Sequence, residues 1–161
     1  MKTLLATAGA FALLTTSMTI AADTNPAADA ISPLLAPWVG PYCGVPPFDQ
    51  VKVVDLKPGL ETGMAQQLAE IDRIANDPAA PTFENTIAAM ERAGRTLDRV
   101  GTIYGVYSST LNDEAVQAVE REMAPKLAAF SDQITQNPQL FERIAKVYET
   151  RETSGLSPEQ Q

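Results

Sequence analysis

The fold is decided by residues 81–111, which read PTFENTIAAMERAGRTLDRVGTIYGVYSSTL. Apolar and small residues recur along this stretch at a spacing near 3.6, which is the period of an amphipathic helix. Thr82 is a residue type that caps helix N-termini well, and no Pro follows it in the stretch. The pattern therefore predicts one long helix from Thr82 to about Ser108. The predicted inward positions of this helix are Phe83, Ile87, Met90, Gly94, Leu97, Gly101, Tyr104 and Leu111.

Three further helices are predicted on either side of this one. The preceding helix runs from about residue 57 to 76, and two helices follow, over 112–137 and from 138 onwards. Pro125 lies inside the first of those two and is expected to kink it. The predicted class is therefore all-α, built of long antiparallel helices. The predicted buried stripe of the first of these helices is Leu60, Met64, Leu68, Ile71 and Ile74 or Ala75, and the helix over 112–137 has Val116, Val119, Met123, Leu127, Phe130 and Ile134 at core spacing. The last helix carries Leu140, Phe141, Ile144, Val147 and Tyr148, and Tyr148 is expected at the edge of the core.

Residues 23–54 are predicted to form a proline-rich extended arm, followed by a helical region over 55–161. Each proline fixes φ and lacks an N–H donor, so a long helix or a central strand is disfavoured there. The arm is too apolar for a solvated linker, and we expect Trp38 and Phe48 to pin it against the helices. A short strand is possible only over residues 51–54. The prolines of the arm are Pro26, Pro33, Pro37, Pro41, Pro46 and Pro47.

Residues 1–22 are typical of a cleavable signal peptide. Lys2 supplies a short positive region, an apolar run follows, and Ala21 or Ala22 precedes the expected cut. An uncleaved membrane anchor is the alternative, but small and hydroxylated residues weaken the run for that role. The expected location is the periplasm or the outside of the cell, with no membrane association after cleavage. We interpret the lone Cys43 as a buried thiol without a disulfide partner in this chain.

The composition argues against several functions. The net charge of −8 disfavours nucleic-acid binding, which needs clustered surplus Lys and Arg. The sequence contains no His and one Cys, which excludes the Ser-His-Asp and Cys-His catalytic arrangements and removes the commonest zinc ligand. No phosphate-binding loop or activated nucleophile is recognisable. From its own residues, this chain is not expected to catalyse a reaction or to hold a cofactor.

One group of residues is a candidate for anion binding. Arg92, Arg95 and Arg99 lie three and four positions apart, on one face of the predicted long helix. Arg binds carboxylates with two parallel hydrogen bonds, so the group could hold a peptide carboxylate. The alternative is a solvated face that pairs with Glu91, Asp98 or acids on neighbouring helices, and this is the interpretation that we favour. Gly94, Gly101 and Gly105 are predicted to mark a groove on the same helix where another helix approaches closely.

The heptapeptide Pro81 to Ile87, PTFENTI, resembles the start of a long helix in the thimet oligopeptidase family of zinc metallopeptidases. The similarity is nearest to the bacterial peptidyl-dipeptidase (Dcp) branch, which is oligopeptidase A-like. It covers roughly residues 32–161. Its further blocks are 44–49, 67–72, 120–127, 137–138 and 157–161.

This resemblance implies a helical, two-lobed peptidase with a deep channel, which admits short peptides and removes C-terminal dipeptides. In the family a zinc ion held by a His-Glu-x-x-His motif activates water. No residue of that motif maps onto this sequence, so we assign no catalytic, metal or substrate-binding residue here. Zinc and the missing C-terminal catalytic region are expected only in a full-length protein. The helices over 55–161 are then the incomplete N-terminal lobe.

A helix-start signature occurs at Ser157-Pro158-Glu159-Gln160, with Ser at the N-cap and Pro at the first helical position. We therefore expect the chain to be an N-terminal segment of a zinc peptidase, inactive by itself and with an apolar face left exposed. The alternative is a free-standing exported helical module that binds a partner without catalysis.

Overall fold

A computed structural model describes residues 32–42 and 44–161. The signal peptide, the first part of the arm and Cys43 lie outside the described residues, so the predictions on them stay predictions. The helices, in order, are α1 (Val53–Ala75), a π-helix (Phe83–Ile87), α2 (Ala88–Arg92), α3 (Arg95–Thr110), α4 (Glu114–Thr135) and α5 (Pro138–Thr150). Within the described part there is no strand, only one isolated bridge between Val39 and Val45. The predicted all-α class is confirmed.

Three helix starts lie where the sequence predicts them, each with a side-chain cap. Thr82 Oγ1 accepts a hydrogen bond from the Asn85 N–H at 3.1 Å at the start of the π-helix. Asp113 Oδ1 accepts from the Val116 N–H at 2.9 Å at the start of α4. Asn137 Oδ1 accepts from the Leu140 N–H at 2.9 Å at the start of α5. Each cap satisfies a backbone donor that has no partner within its own helix.

The start of α1 differs from the prediction. The helix begins at Val53, not near residue 57, and the suggested strand over 51–54 is wrong. Asp55 Oδ2 accepts a hydrogen bond from the Lys52 N–H at 2.9 Å, so the acidic side chain satisfies a donor at the helix entrance. The carbonyl of Val51 accepts from the Tyr107 hydroxyl at 3.0 Å. These contacts fix the entrance of α1 four residues earlier than the hydrophobic period alone suggests.

The predicted single long helix over 82–108 is wrong, because the chain breaks at Gly94. Gly94 has φ +83, a left-handed conformation that side chains disfavour. A Cβ there would overlap the Gln67 side-chain amide of α1. The Gly94 N–H donates to Glu70 Oε2 at 2.7 Å, so α1 supplies the acceptor that a continuous helix would have supplied itself.

The break changes which residues of α3 face inward. Val100 and Ile103 are fully buried, whereas Leu111 is 55% exposed, so the prediction of Leu111 as a core residue is wrong. No atom lies within 4 Å of a Cβ built on Gly101 or Gly105 in the described part. The predicted close approach is therefore wrong for Gly101 and Gly105, whereas Gly94 does lie against α1. A further close approach occurs on α1 itself, where a Cβ on Gly63 would lie 3.0 Å from the Leu97 Cα.

Helix α1 lies at the centre of two apolar clusters. The larger one joins α1 to α3, α4 and the arm, and the smaller one joins its C-terminal end to α5. A fully buried Leu, Ile or Met side chain contributes about 1.5–3 kcal/mol relative to exposure, so these clusters carry most of the helix packing. The buried members are Leu34, Val51, Leu56, Leu60, Met64, Val100, Ile103 and Met123 in the first cluster, and Ile71, Ala75 and Leu140 in the second.

The arm is held by a residue that the sequence analysis did not select. Leu34 is fully buried, and its side chain faces Gly59 of α1. Trp38 packs against the same cluster, as predicted. Phe48 is 40% exposed, so its predicted role as an anchor is wrong. The Arg99 guanidinium adds a hydrogen bond to the Leu35 carbonyl at 3.3 Å, which ties the arm to α3.

Candidate functional site

A charged cleft of about 510 Å³ lies between the C-terminal half of α1 and the segment formed by the π-helix and α2. Its charged lining residues are Glu70, Arg73, Asp77, Glu84 and Arg92. The break at Gly94 shapes the cleft, because it ends α2 beside α1. Its lining carries both signs of charge, which suits a polar or zwitterionic molecule.

The polar groups of the cleft are mostly engaged with their neighbours. Arg92 Nη2 lies 2.8 Å from Glu84 Oε1, and both side chains are at least half exposed, so this ion pair adds little stability. Glu70 accepts the Gly94 N–H described above. The Arg73 Nε donates to the Ala69 carbonyl at 3.2 Å, within its own helix. The cleft therefore contains no pair of groups placed as nucleophile and general base.

Arg143 of α5 is the one buried charged residue among residues 32–42 and 44–161, and it was not among the predicted site residues. Its Nη1 donates to the Asp77 carbonyl at 2.8 Å and to the Ala79 carbonyl at 3.0 Å. Its Nη2 donates to Asn85 Oδ1 at 3.1 Å and lies 3.6 Å from Asp77 Oδ2. One guanidinium thus joins α5, the 77–80 turn and the first turn of the π-helix.

The position of Arg143 leaves a signal in the sequence. Leu140 and Val147 are the buried apolar residues of α5, and Arg143 lies between them at helical spacing. A charged residue on an otherwise apolar stripe requires partners inside the fold. Asn85 is one of these partners, and its Oδ1 also accepts a hydrogen bond from the Thr82 N–H at 2.7 Å.

The structure does not bring the three predicted arginines together as an anion site. The break at Gly94 separates Arg92 in α2 from Arg95 and Arg99 in α3. Arg92 pairs with Glu84 of the π-helix, an acid on a neighbouring helix, which agrees with the interpretation as a solvated face. Arg99 bonds the arm and, at 3.3 Å, the Thr96 hydroxyl. Arg95 is exposed.

Two causes of shifted pKa values are the burial of Tyr104 and the ion pairs at the surface between α1 and α4. Burial, followed by the charge of Glu120, raises the pKa of the Tyr104 hydroxyl. The hydrogen bond from Lys57 lowers the pKa of the Glu122 carboxyl, and Lys126 adds to this effect. Lys126 also bonds Glu61, so these charges form a ladder between α1 and α4. Its side chains are 38–48% exposed, so the ladder links the surfaces of the two helices and each of its pairs adds little stability.

The residues do not fit a zinc ion. The whole sequence contains no His, and among residues 32–42 and 44–161 no group of three His, Cys, Asp or Glu side chains could hold a metal. No helix in that same part is long and apolar enough to cross a membrane.

The chain is similar to known peptidases. A dipeptidyl carboxypeptidase of Salmonella typhimurium is 34% identical over 128 residues, which make up 80% of this chain and 19% of that protein. A dipeptidyl carboxypeptidase of Escherichia coli is 33% identical over 129 residues, with the same coverage of 80% and 19%. The chain thus spans about a fifth of the length of these curated relatives, and the predicted resemblance is confirmed. No protein-family model matches the chain.

Proposed function

We propose that this chain is a helical section of a longer zinc-dependent peptidyl-dipeptidase and has no peptidase activity by itself. The observation that carries the proposal is an identity of about one third, sustained over 80% of the chain, with two proteins named dipeptidyl carboxypeptidase. The substrates of the whole protein are then short peptides, from which it removes C-terminal dipeptides.

The zinc ion is assigned to polypeptide outside this chain. Zinc sites of peptidases use His and carboxylate ligands, and this sequence has no His to contribute. What its own residues supply is a set of packed helices. The buried Arg143 joins α5 to the 77–80 turn and the π-helix, and the exposed charge ladder links α1 to α4.

We further propose that the protein is exported to the periplasm or secreted. This part of the proposal rests on the sequence of residues 1–22 alone, where a basic residue, an apolar run and an Ala-Ala pair follow one another. Edman sequencing of the protein recovered from the periplasm should give a new N-terminus near Ala21 or Ala22. A retained Met1 would contradict it.

A free-standing exported binding module is the second candidate. The charged cleft of about 510 Å³ favours it, since a polar ligand could bind there without any chemistry. In that case short zwitterionic peptides should bind the isolated chain, and E70Q together with R73Q should weaken binding.

The reading frame beyond Gln161 separates the two candidates. We expect it to continue and to encode a His-Glu-x-x-His motif. The product of the continuing frame should release dipeptides from the C-termini of N-blocked short peptides, and a chelator should abolish the release. The 161-residue chain with added zinc is the matched control and should release none. Chelator-sensitive release by that chain alone, or a frame without the motif, would contradict the proposal.

A further inference from the structure

An apolar groove runs along the side of α5 that faces the π-helix. It consists of two cavities, of about 370 Å³ and about 200 Å³, which share Phe83, Val147 and Gln160 in their linings. Leu156 lines the larger cavity, and Ile87 the smaller. The groove is apolar along these side chains, and Glu84, Thr150 and Ser154 add polar groups to the wall of the larger cavity. We call it the Phe83 groove.

Tyr148, at the edge of the Phe83 groove, is largely exposed to solvent. The Tyr148 side chain lines the smaller cavity and is 62% exposed. The Arg151 guanidinium stacks on its ring, with 3.9 Å between Cζ and the ring centroid. An exposed Tyr beside a groove lined by the buried Val147 and the half-buried Phe83 is typical of a surface that packs against another segment of protein.

The turn at 157–160 lies at the groove and has the geometry of a helix start. The Ser157 N–H donates to Gln160 Oε1 at 3.0 Å, which is one half of a capping box. The Gln160 N–H donates to the Ser157 carbonyl at 2.9 Å, and Pro158 occupies the first helical position. The Gln160 side chain already lines both cavities. A helix that continues from this turn therefore starts in contact with the groove.

We propose that the Phe83 groove is the seat of an amphipathic helix that begins at Pro158 and is formed by the polypeptide after Gln161. The inference rests on the proposed function, in which this chain is part of a longer protein, as its coverage of 19% of the matched dipeptidyl carboxypeptidase suggests. An apolar stripe at i, i+3, i+4 and i+7 of that helix fits an apolar groove of this shape. The Ser157–Gln160 contact marks the residue at which this helix begins.

Thiol labelling tests the proposal. In a C43S background, Y148C places one thiol at the groove, and F141C places a control thiol on the same helix, at a residue that lines neither cavity of the groove. Phe141 is 68% exposed, so the two positions start with similar accessibility. Each variant is made in the 161-residue chain and in the same chain extended by about thirty residues of its reading frame, enough for several helical turns. Far-UV circular dichroism verifies that all four proteins are helical.

We expect the maleimide labelling rate at position 148 to fall by about tenfold or more on extension, and the rate at 141 to change by less than about twofold, because only the groove becomes covered. An unchanged rate at 148, or an equal fall at both positions, would overturn the proposal.

The labelling experiment distinguishes a failure of the groove assignment from a failure of the proposed function. If the continuing frame yields an active dipeptide-releasing enzyme but position 148 stays reactive, only the groove assignment is wrong. If position 148 becomes protected in a product without the zinc motif, the groove assignment holds and the proposed function is wrong. A stop codon directly after Gln161 overturns both.

Discussion

Arg143 and Asn85 are 58 positions apart in the sequence, and the Arg143 guanidinium donates to the Asn85 side-chain oxygen at 3.1 Å. Asn85 uses the same oxygen to accept from the Thr82 N–H, so the cap of the π-helix and the anchor of α5 are one network. Breaking a buried network of this kind leaves polar groups without partners in a region of low dielectric. The orientation of α5 against the π-helix therefore depends on this pair.

Replacing Arg143 tests that dependence. We expect R143M to lower the free energy of unfolding by about 2–4 kcal/mol, because the Asp77 and Ala79 carbonyls and the Asn85 amide lose a charged donor. Urea denaturation followed by circular dichroism measures the change. K146M on the exposed side of the same helix is the control and should change stability by less than about 0.5 kcal/mol. Equal effects of the two substitutions would contradict the assignment.

Replacement by alanine should have opposite effects on stability at Gly94, which precedes α3, and at Gly101, which lies within α3. G94A should destabilise the protein by about 1–3 kcal/mol, since it places a Cβ in the left-handed conformation and against Gln67. G101A lies inside α3 with open space around it and should stabilise by about 0.5–1 kcal/mol. Thermal and urea unfolding measure both. If G94A is neutral, then the break is not required by the fold.

The arm should depend on Leu34 and not on Phe48. L34A removes a fully buried side chain and should cost about 2–5 kcal/mol of unfolding free energy. F48A removes a side chain that is 40% exposed and should cost less than about 1 kcal/mol. Limited proteolysis of the arm measures the local effect. Faster cleavage in F48A than in L34A would contradict the packing described above.

The Glu122 carboxyl predicts a pH dependence of stability. Its pKa is lowered in the folded protein, chiefly by the hydrogen bond from Lys57, so its stabilising contribution is present above the ordinary carboxyl pKa of 4.5. The contribution is lost as the pH falls below 4.5 and through the lowered folded value, because protonation removes the charge that Lys57 and Lys126 bind. We therefore expect E122Q to lower the urea midpoint at pH 7 and the difference from wild type to shrink towards pH 3.

The control for that experiment is E91Q. Glu91 is exposed and forms no salt bridge within the described part of the chain. The midpoint of E91Q should follow that of wild type across the same pH range. A difference between E122Q and wild type that persists unchanged at pH 3 would show that the amide acts through packing and not through charge.

The sequence by itself determined the helical class, the cap at Thr82, the starts of the two last helices near 112–113 and 137–138, and the resemblance to peptidases. Caps and helical periods are local properties, so Thr82, Asp113 and Asn137 are recognisable within a few residues of the chain. The predicted N-terminal boundary of α1 lies too late because the Asp55 side chain caps the Lys52 N–H, a contact that the hydrophobic period does not record.

Only the tertiary structure decided the break at Gly94, the anchor at Leu34 and the partners of Arg143. Gly94 fits a helical period, and the contacts that end the helix there come from Gln67 and Glu70 on another helix. Arg92 and Arg95 fall on one face only if that helix is continuous, so the candidate anion site disappeared with the break. A hydrophobic pattern records which residues repeat, whereas contacts between distant segments decide where the repeat is interrupted.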